Sequence, residues 1–368
     1  MIRQNSTAPR IQHRTTNKKR IKVLIVDDSA LVRNILSKGL SMDPAIEVVG
    51  TAKDPYVARD MILKHDPDVM TLDVEMPKMD GVEFLRKLMP QYPIPVVMVS
   101  SLTQKGKRIT LEALEAGAVE IVPKPTTNLA RGLNEMMSDL RQKVKIASRA
   151  NVSHWKNRKP VFRHKLNHDS KSLAESTDKV VAIGASTGGT EAIKNVVSTF
   201  PAAFPGVVIV QHMPAGFTKM FAERLNSICA MDVKEASNGD KVMPGRILVA
   251  PGNYHMKVRR SGGFYYVELT NGEKVNGHRP SVNVLMHSVA KYVGANAIGV
   301  MLTGMGSDGA DGMLAMRRAG ARTVAQNEET SVVFGMPKVA YEIGAAEKLL
   351  PLDEIGHDVI KLLAGEKI

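Results

Sequence analysis

Residues 180–189 read Val-Val-Ala-Ile-Gly-Ala-Ser-Thr-Gly-Gly, an apolar run that ends in a turn of glycine and other small residues. A helix-forming stretch at residues 190–198 follows directly. A strand that passes through a tight turn into a helix is the repeating unit of a parallel sheet covered by helices. This stretch therefore predicts an α/β fold.

Further β-forming runs follow along the C-terminal half, at residues 207–210, 247–250, 297–302 and 323–325. Near-continuous apolar strands separated by helical stretches predict a doubly wound parallel sheet, which is a Rossmann-like fold. One interruption breaks the pattern, where Ser261-Gly262-Gly263 joins two β-forming runs at residues 256–260 and 264–269. A short glycine turn between such runs predicts a β-hairpin, expected to form a two-stranded flap.

The first 140 residues show the same alternation. Their β-forming runs lie at residues 21–26, 69–74, 96–100 and 120–122, with Val48 and Val49 marking one more strand. Amphipathic stretches between them predict a flavodoxin-like open sheet. Because 368 residues exceed one ordinary domain, two are expected. The expected division is a basic flexible tail at 1–20, a first domain at 21–140, a basic linker at 141–178 and a second domain at 179–368.

The chain carries a net charge of +13, which raises nucleic-acid binding as a possible function. Much of the excess lies in the tail and the linker, so a compact DNA-reading surface is not expected. The single cysteine, Cys229, excludes an intramolecular disulfide and fits a reducing compartment. Because no apolar run is long enough for a transmembrane helix and the N-terminus lacks a secretory h-region, a cytoplasmic protein is expected.

Ser186 lies at the centre of Gly184-Ala185-Ser186-Thr187-Gly188, a G-x-S-x-G pattern. In this pattern a tight strand-to-helix turn exposes the serine hydroxyl, and N–H groups at the helix start can bind an oxyanion. The competing interpretation, a Walker-type phosphate loop, requires Gly-Lys-Ser/Thr, and the turn has no lysine. Ser186 is therefore the candidate nucleophile.

A serine nucleophile needs a general base. His212, in Gln-His-Met-Pro at the end of the next apolar run, should reach the same edge of the sheet as Ser186. It is the favoured base, while His255, His278 and His287 remain possible.

The base in turn needs an orienting carboxylate, and the run at 297–302 leads into a glycine-rich loop that carries Asp308 and Asp311. Such a loop could instead bind calcium, but it lacks the regularly spaced oxygen ligands and the closing glutamate of an EF-hand. Asp308 is better placed than Asp311, which is expected in the first turn of the next helix. The order serine, histidine, acid differs from the α/β-hydrolase order, so a different fold is expected to carry the same chemistry.

Acidic residues also follow the strands of the first domain. Asp27 and Asp28 come directly after its first strand, and Asp73 lies near the end of the third. Because the carboxyl ends of parallel strands converge, these carboxylates should share one crevice, where Mg²⁺ would offset their repulsion. Ser100 and Lys124, at the ends of later strands, add a hydroxyl and an ammonium group. Together they predict a phosphoryl-accepting site.

These positions resemble the two-component receiver domain. The matching features are Asp27-Asp28, Asp73 in Leu-Asp-Val-Glu-Met-Pro-Lys-Met-Asp-Gly, Ser100 and Lys124-Pro125. The resemblance implies that Asp73 accepts phosphate from a histidine kinase. It also implies that Asp28, Asp73 and the carbonyl of Glu75 bind Mg²⁺, with Asp27 helping from nearby.

The second domain resembles the chemotaxis protein-glutamate methylesterases. The matching segments are 180–189, Gln-His-Met-Pro (211–214), Val-Ala-Pro-Gly-Asn-Tyr-His-Met (249–256), His-Arg-Pro-Ser-Val (278–282) and Leu-Thr-Gly-Met-Gly-Ser-Asp-Gly (302–309). The resemblance implies a triad of Ser186, His212 and Asp308. N–H groups near Thr187 and Met305 are expected to bind the oxyanion. One departure is Asn283, which stands where an acid is expected.

The resemblance implies a phosphorylation-activated esterase that hydrolyses glutamate methyl esters on the cytoplasmic domains of chemoreceptors and deamidates receptor glutamines. A chemotaxis-type histidine kinase would be the phosphodonor, and ester hydrolysis would need no cofactor. Neither nucleic-acid binding nor direct membrane insertion is expected. The alternative is a phosphorylation-controlled DNA-binding regulator, but it would require a helix-turn-helix effector in place of the βα units. An unrelated peptidase or lipase would not explain the first domain.

Overall fold

The computed structural model describes residues 19–100, 103–125, 129–156 and 178–365. Nearly all of the predicted tail, and residues 157–177 of the predicted linker, lie outside the described residues. Within the described part of the chain, no helix combines the length and apolar character needed to cross a bilayer.

The N-terminal domain is built on a parallel five-stranded sheet with the strand order β2-β1-β3-β4-β5. Its strands are β1 (Ile21–Val26), β2 (Ile46–Ala52), β3 (Val69–Asp73), β4 (Val96–Ser100) and β5 (Glu120–Pro123). Its helices are α1 (Ala30–Ser41), α2 (Pro55–His65), α3 (Gly81–Leu88), α4 (Gln104–Glu115) and α5 (Leu129–Ala147). Every residue of β3 and β4 is buried, as expected for strands covered by helices on both faces. The flavodoxin-like prediction is confirmed.

Helix α5 extends past the predicted domain edge at residue 140. Leu140, Val144 and Ala147 are fully buried, because they repeat at helical spacing on the face turned to the core. The charges between them, including Lys143 and Lys145, occupy the other faces of the same helix. The basic composition of this stretch hid its apolar stripe, and the predicted boundary between first domain and linker falls inside a helix.

The C-terminal domain is built on a parallel seven-stranded sheet with the order β15-β14-β13-β6-β7-β10-β8. Its strands are β6 (Val180–Ala185), β7 (Gly206–Gln211), β8 (Asp232–Glu235), β10 (Arg246–Val249), β13 (Ala297–Met301), β14 (Arg322–Gln326) and β15 (Lys348–Leu350). Its helices are α6 (Gly189–Val197), α7 (Phe217–Asn226), α8 (Val282–Tyr292), α9 (Ala310–Arg318), α10 (Met336–Glu342) and α11 (Leu352–Leu363). The order reverses at β6, which leads into β7 on one side while β13 lies on the other. The Rossmann-like prediction is confirmed, and ligands of such sheets bind at this switch point.

The predicted hairpin is present, and a third strand extends it. Strands β11 (His255–Ser261) and β12 (Phe264–Thr270) are antiparallel, and β9 (Lys241–Val242) pairs with the outer edge of β12. The connecting glycines adopt positive φ angles of 56° and 84°, which L side chains rarely adopt. The inner face of the hairpin packs on α8, where the hydroxyl of Ser288 accepts a hydrogen bond from the N–H of Val258 at 2.8 Å.

Candidate active site

Ser186 follows β6 at the switch point, in a turn whose shape depends on glycine. Gly188 adopts φ 75° and is the N-cap of α6, which begins at Gly189. A Cβ at Gly189 would lie 2.1 Å from Oε1 of Gln211, and a Cβ at Gly304 would lie 2.8 Å from Cβ of Ser186. Neighbouring strands therefore close around the serine without side chains in between. The N–H of Ser186 donates to the carbonyl of Thr303 at 3.0 Å, which ties its turn to the loop after β13.

His212 follows β7, and its ring joins the other two predicted triad residues. Nδ1 lies 3.1 Å from Oγ of Ser186, and Nε2 lies 2.8 Å from Oδ2 of Asp308. The amide of Gln211 holds the two turns together, donating to the carbonyl of Ser186 at 2.9 Å and to that of His212 at 3.1 Å. The side chain of His212 is only 8% exposed. The structure thus places the serine, histidine and aspartate predicted from sequence in one hydrogen-bonded chain.

The carboxylate of Asp308 is surrounded by donors. Burial alone would raise its pKa, but the hydrogen bond and charge of His212 and the donors around Ser281 lower the pKa to about 2. The donors besides His212 are Ser281 Oγ at 2.7 Å, Val282 N at 2.7 Å, Asn276 Nδ2 at 3.1 Å and Asn283 N at 3.3 Å. Val282 begins α8, so the carboxylate also faces the positive end of that helix.

The protonation of His212 follows from this arrangement. An ionised carboxylate can only accept, so Nε2 of His212 must carry the hydrogen that faces Asp308. Nδ1 is then the unprotonated nitrogen, and its lone pair faces the hydroxyl of Ser186. This is the tautomer that a general base for a serine nucleophile requires.

The structure also separates the other candidates. His255 is buried, with Nε2 donating to the carbonyl of Glu273 at 2.8 Å and Nδ1 accepting from the N–H of Ser281 at 3.2 Å. His287 is exposed on α8. His278 stacks on His212, with ring centroids 3.7 Å apart and an interplanar angle of 8°.

Asp311 and Asn283 lie at the starts of α9 and α8. Asp311 is exposed in the first turn of α9, as predicted. Asn283, the departure from the expected acid, accepts from the N–H of Gly312 at 2.9 Å through its Oδ1, so a neutral side chain caps the start of α9 beside Asp308.

The two predicted oxyanion positions flank Ser186. Thr187 is the next residue in the same turn and is buried, and its carbonyl accepts from Oγ1 of Thr303 at 3.0 Å. Met305 is half-buried and directly follows Gly304, whose backbone lies against Ser186. Both backbones therefore border the serine.

A second cluster lies at the carboxyl ends of β1 and β3. Carboxylate oxygens of Asp27, Asp28 and Asp73 all lie within 4.8 Å of one another. Nζ of Lys124 donates to Asp27 at 2.9 Å and to Asp73 at 2.8 Å. Burial raises the pKa of Asp73, and the adjacent Lys124 opposes that rise. Hard carboxylate oxygens converging in this way suit Mg²⁺.

The remaining residues of the predicted phosphoryl-accepting site lie around this cluster. Ser100 ends β4, one residue beyond the partner of Asp73 in the sheet, and its hydroxyl accepts from Thr110 of α4 at 2.7 Å. Glu75 follows β3 with its side chain exposed. Ser100 thus connects the end of β4 to the helix that faces the second domain.

The two domains meet beside the triad. Arg224 of α7 forms a bidentate pair with Glu115 of α4, at 2.8 and 3.1 Å. The carboxylate of Glu120 in β5 accepts a hydrogen bond from the hydroxyl of Thr187. A crevice of only about 40 Å³ remains at Ser186 and His212, and its other wall is formed by the first domain, including Val119, Glu120 and Lys143.

Fold and sites together define a response regulator whose effector is an α/β domain with a Ser-His-Asp arrangement. The family model for the response regulator receiver domain matches residues 23–133, and that for the CheB methylesterase matches residues 181–359. The protein-glutamate methylesterase/protein-glutamine glutaminase of Syntrophotalea carbinolica is 67% identical over 95% of this chain and 99% of its own. The protein of the same name from Sulfurimonas denitrificans is 55% identical over 94% and 99%.

Among solved structures, the CheB methylesterase catalytic domain of Thermotoga maritima is 40% identical and covers 50% of this chain and 98% of its own, with a TM-score of 0.49. The identity and coverage of the full-length relatives are decisive. The chain belongs to the CheB family of protein-glutamate methylesterases/protein-glutamine glutaminases.

Proposed function

We propose that this protein is a phosphorylation-activated protein-glutamate methylesterase that acts on chemoreceptors. The observation that carries the proposal is the chain Ser186 Oγ, His212 Nδ1, His212 Nε2, Asp308 Oδ2, with contacts of 3.1 and 2.8 Å. Family membership gives this arrangement its substrate class, since the relatives are named for glutamate methyl esters and glutamines in proteins. The DNA-binding alternative is not supported, because the effector is a Rossmann-like α/β domain that the CheB methylesterase family model matches.

In the first half of the reaction, Nδ1 of His212 takes the proton of the Ser186 hydroxyl as its oxygen attacks the ester carbonyl. The tetrahedral oxyanion is bound by N–H groups at Thr187 and Met305. His212 then donates the proton to the departing methoxide, which leaves as methanol. Asp308 stabilises the imidazolium that exists between these two transfers.

Water completes the reaction. It gives a proton to His212 as its oxygen attacks the acyl-serine. His212 then donates that proton to Oγ of Ser186 as the second tetrahedral intermediate collapses, which restores the serine and the neutral histidine and releases the glutamate carboxylic acid. A glutamine amide reacts at the same site, with ammonia leaving in place of methanol. None of these steps requires a cofactor.

Asp73 is the proposed phosphoryl acceptor, with a chemotaxis-type histidine kinase as donor. Asp28, Asp73 and the carbonyl of Glu75 would hold Mg²⁺, with Asp27 nearby, and the carboxylates fit a hard cation. Bound there, the cation would balance charge on the phosphoryl oxygens. Lys124 adds a fixed positive charge, and Ser100 supplies a hydroxyl to the new phosphoryl group.

The receiver is proposed to cover the triad until Asp73 is phosphorylated. The small crevice at Ser186 and the contact between Glu120 and Thr187 support this, because a receptor segment could not enter without displacing β5. Phosphorylation would shift the population towards an arrangement with the domains apart. The expected setting is the cytoplasm, with methylated receptor domains as substrate and no binding of nucleic acid.

The test is methanol release from membranes that contain methylated chemoreceptors. Ser186→Ala is expected to abolish release, whereas Ser227→Ala, an exposed serine in the same domain, should leave it unchanged. Continued release by folded Ser186→Ala protein would refute the proposed nucleophile. Salt-sensitive binding of duplex DNA, with no methanol released by the wild type, would favour the regulator alternative.

A further inference from the structure

A tight turn lies directly over the triad. The backbones of Val275 and His278 exchange hydrogen bonds of 3.0 and 3.1 Å, and this pair encloses Asn276 and Gly277. These two residues have φ angles of 53° and 80°, the positive pair that a type I′ turn requires. Asn-Gly is the dipeptide that most readily adopts this turn, so its shape is encoded locally.

Two side chains of this turn reach two different members of the triad. Asn276 donates through Nδ2 to Oδ1 of Asp308 at 3.1 Å. The ring of His278 lies parallel to that of His212, with centroids 3.7 Å apart and an angle of 8°. The acid and the base are thus both contacted from one tight turn.

The stacking geometry determines what His278 can do. Its ring covers a face of His212, whereas Ser186 and Asp308 lie at the edge of that ring, in line with its two nitrogens. His278 therefore does not compete for the serine proton. It blocks rotation of the His212 ring out of the line between serine and aspartate, because any tilt would drive one ring into the other.

The charge state of His278 suits this position. Burial, followed by the charge of His212, lowers the pKa of His278 to about 4, although Asp308 acts in the opposite direction. At neutral pH it is therefore an uncharged ring. Such a ring can lie against His212 while His212 carries a proton between the two transfers, whereas a second imidazolium would repel it.

We propose that the turn at residues 275–278 is a positioning element of the active site, in which His278 fixes the ring plane of His212 and Asn276 fixes the carboxylate of Asp308. This proposal rests on the esterase mechanism above. It assigns neither residue a contact with the substrate.

The experiment compares kcat and KM of the full-length protein for methanol release from methylated receptor membranes. His278→Ala should lower kcat roughly three- to tenfold, the factor expected for loss of one aromatic pair, with KM within twofold of wild type. His278→Phe keeps a flat ring and should recover at least half of the wild-type kcat. Asn276→Ala should lower kcat by a smaller factor. His287→Ala, an exposed histidine on α8, serves as the matched control.

Circular dichroism and the unfolding temperature establish that each variant is folded, and the Phe variant tests the proposal independently of any damage in the Ala variant. Wild-type kcat in His278→Ala would overturn the proposal, as would a Phe variant no better than the Ala variant. Ser186→Ala separates the two levels of inference. If it stays active, the esterase mechanism fails; if it is inactive while His278→Ala is unaffected, only the positioning role fails.

Discussion

The carboxylate of Glu120, at the start of receiver strand β5, accepts a hydrogen bond from the hydroxyl of Thr187, the residue next to Ser186. The first domain thus contacts the nucleophile turn itself. We expect Glu120→Ala to raise methanol release by the unphosphorylated protein roughly ten- to hundredfold, since a hydrogen bond to a charged group contributes about 1.5–3 kcal/mol net of the exchange with water. Glu83→Ala, an exposed carboxylate on α3, is the control. An unchanged basal rate would show that this contact does not restrain the domains.

Asp308→Asn should lower kcat by about 10³- to 10⁴-fold. The carboxylate accepts hydrogen bonds from five groups, and an amide would direct its NH₂ group at one of these donors and favour the wrong tautomer of His212. Steady-state kinetics and urea unfolding measure the two consequences, with a stability loss of about 1–3 kcal/mol expected. Near-normal kcat in this variant would contradict the orienting role of the carboxylate.

Gly304→Ala should displace Ser186 through the backbone that packs against it. A Cβ there would lie 2.4 Å from Sδ of Met336 and 2.8 Å from Cβ of Ser186, so either the methionine or the serine turn must move. We expect a stability loss of about 1–3 kcal/mol and a clear drop in kcat. Gly272→Ala is the matched control, because a Cβ at that position meets nothing within 4 Å. Equal activity of the two variants would mean that the methionine alone absorbs the added methyl group.

Metal removal should stop phosphorylation at Asp73 and leave ester hydrolysis at Ser186 unaffected. With EDTA, phosphorylation of Asp73 by acetyl phosphate should stop, and with it the stimulation of esterase activity, because the carboxylate cluster would then lack the proposed Mg²⁺. Asp28→Asn should act in the same direction. Basal methanol release should be unchanged under both conditions. Phosphate-affinity gels measure the phosphorylated fraction, and methanol assays on the same samples measure the esterase activity. A fall in the basal rate with EDTA would contradict the expectation that ester hydrolysis needs no metal.

The pH dependence of stability should change in His278→Phe. Between its ordinary pKa of 6.5 and its folded value of about 4, His278 binds a proton in the unfolded chain but not in the native protein. Wild-type stability therefore falls as the pH drops through this window, by about 2 kcal/mol from this residue at pH 5. The Phe variant lacks this loss, so the difference between its free energy of unfolding and that of wild type should increase as the pH is lowered from 7 to 5. A constant difference across this range would place His278 in an ordinary, solvated environment.

Sequence reasoning reached Ser186, His212 and Asp308 because each follows an apolar strand, and parallel strands bring their carboxyl ends to one edge. It left His255, His278 and His287 undecided, because their places depend on how the hairpin packs on α8. The Asn276-Gly277 dipeptide was a readable turn signal, but it gives no information about what the turn faces. Contacts of this kind arise from tertiary packing and have no local pattern.

The elements that sequence reasoning missed share another property. Strand β8 reads Asp-Val-Lys-Glu and β15 has three residues, and both lie at the edges of the seven-stranded sheet. Edge strands need few apolar side chains, and polar residues on them prevent pairing with other molecules. The continuation of α5 to Ala147 was hidden for a related reason, because its charged residues lie on the faces turned away from the core.

The triad residues follow β13, β6 and β7, three strands that lie side by side with the serine strand in the middle. At roughly 4.8 Å between neighbours, the whole arrangement spans about 10 Å of the sheet. The strands beyond β7 and β13 extend the sheet without contributing to this span. New chain termini or inserted modules at the outer strands would therefore leave the chemistry in place, which makes them the natural sites for circular permutation and for grafting other regulatory domains.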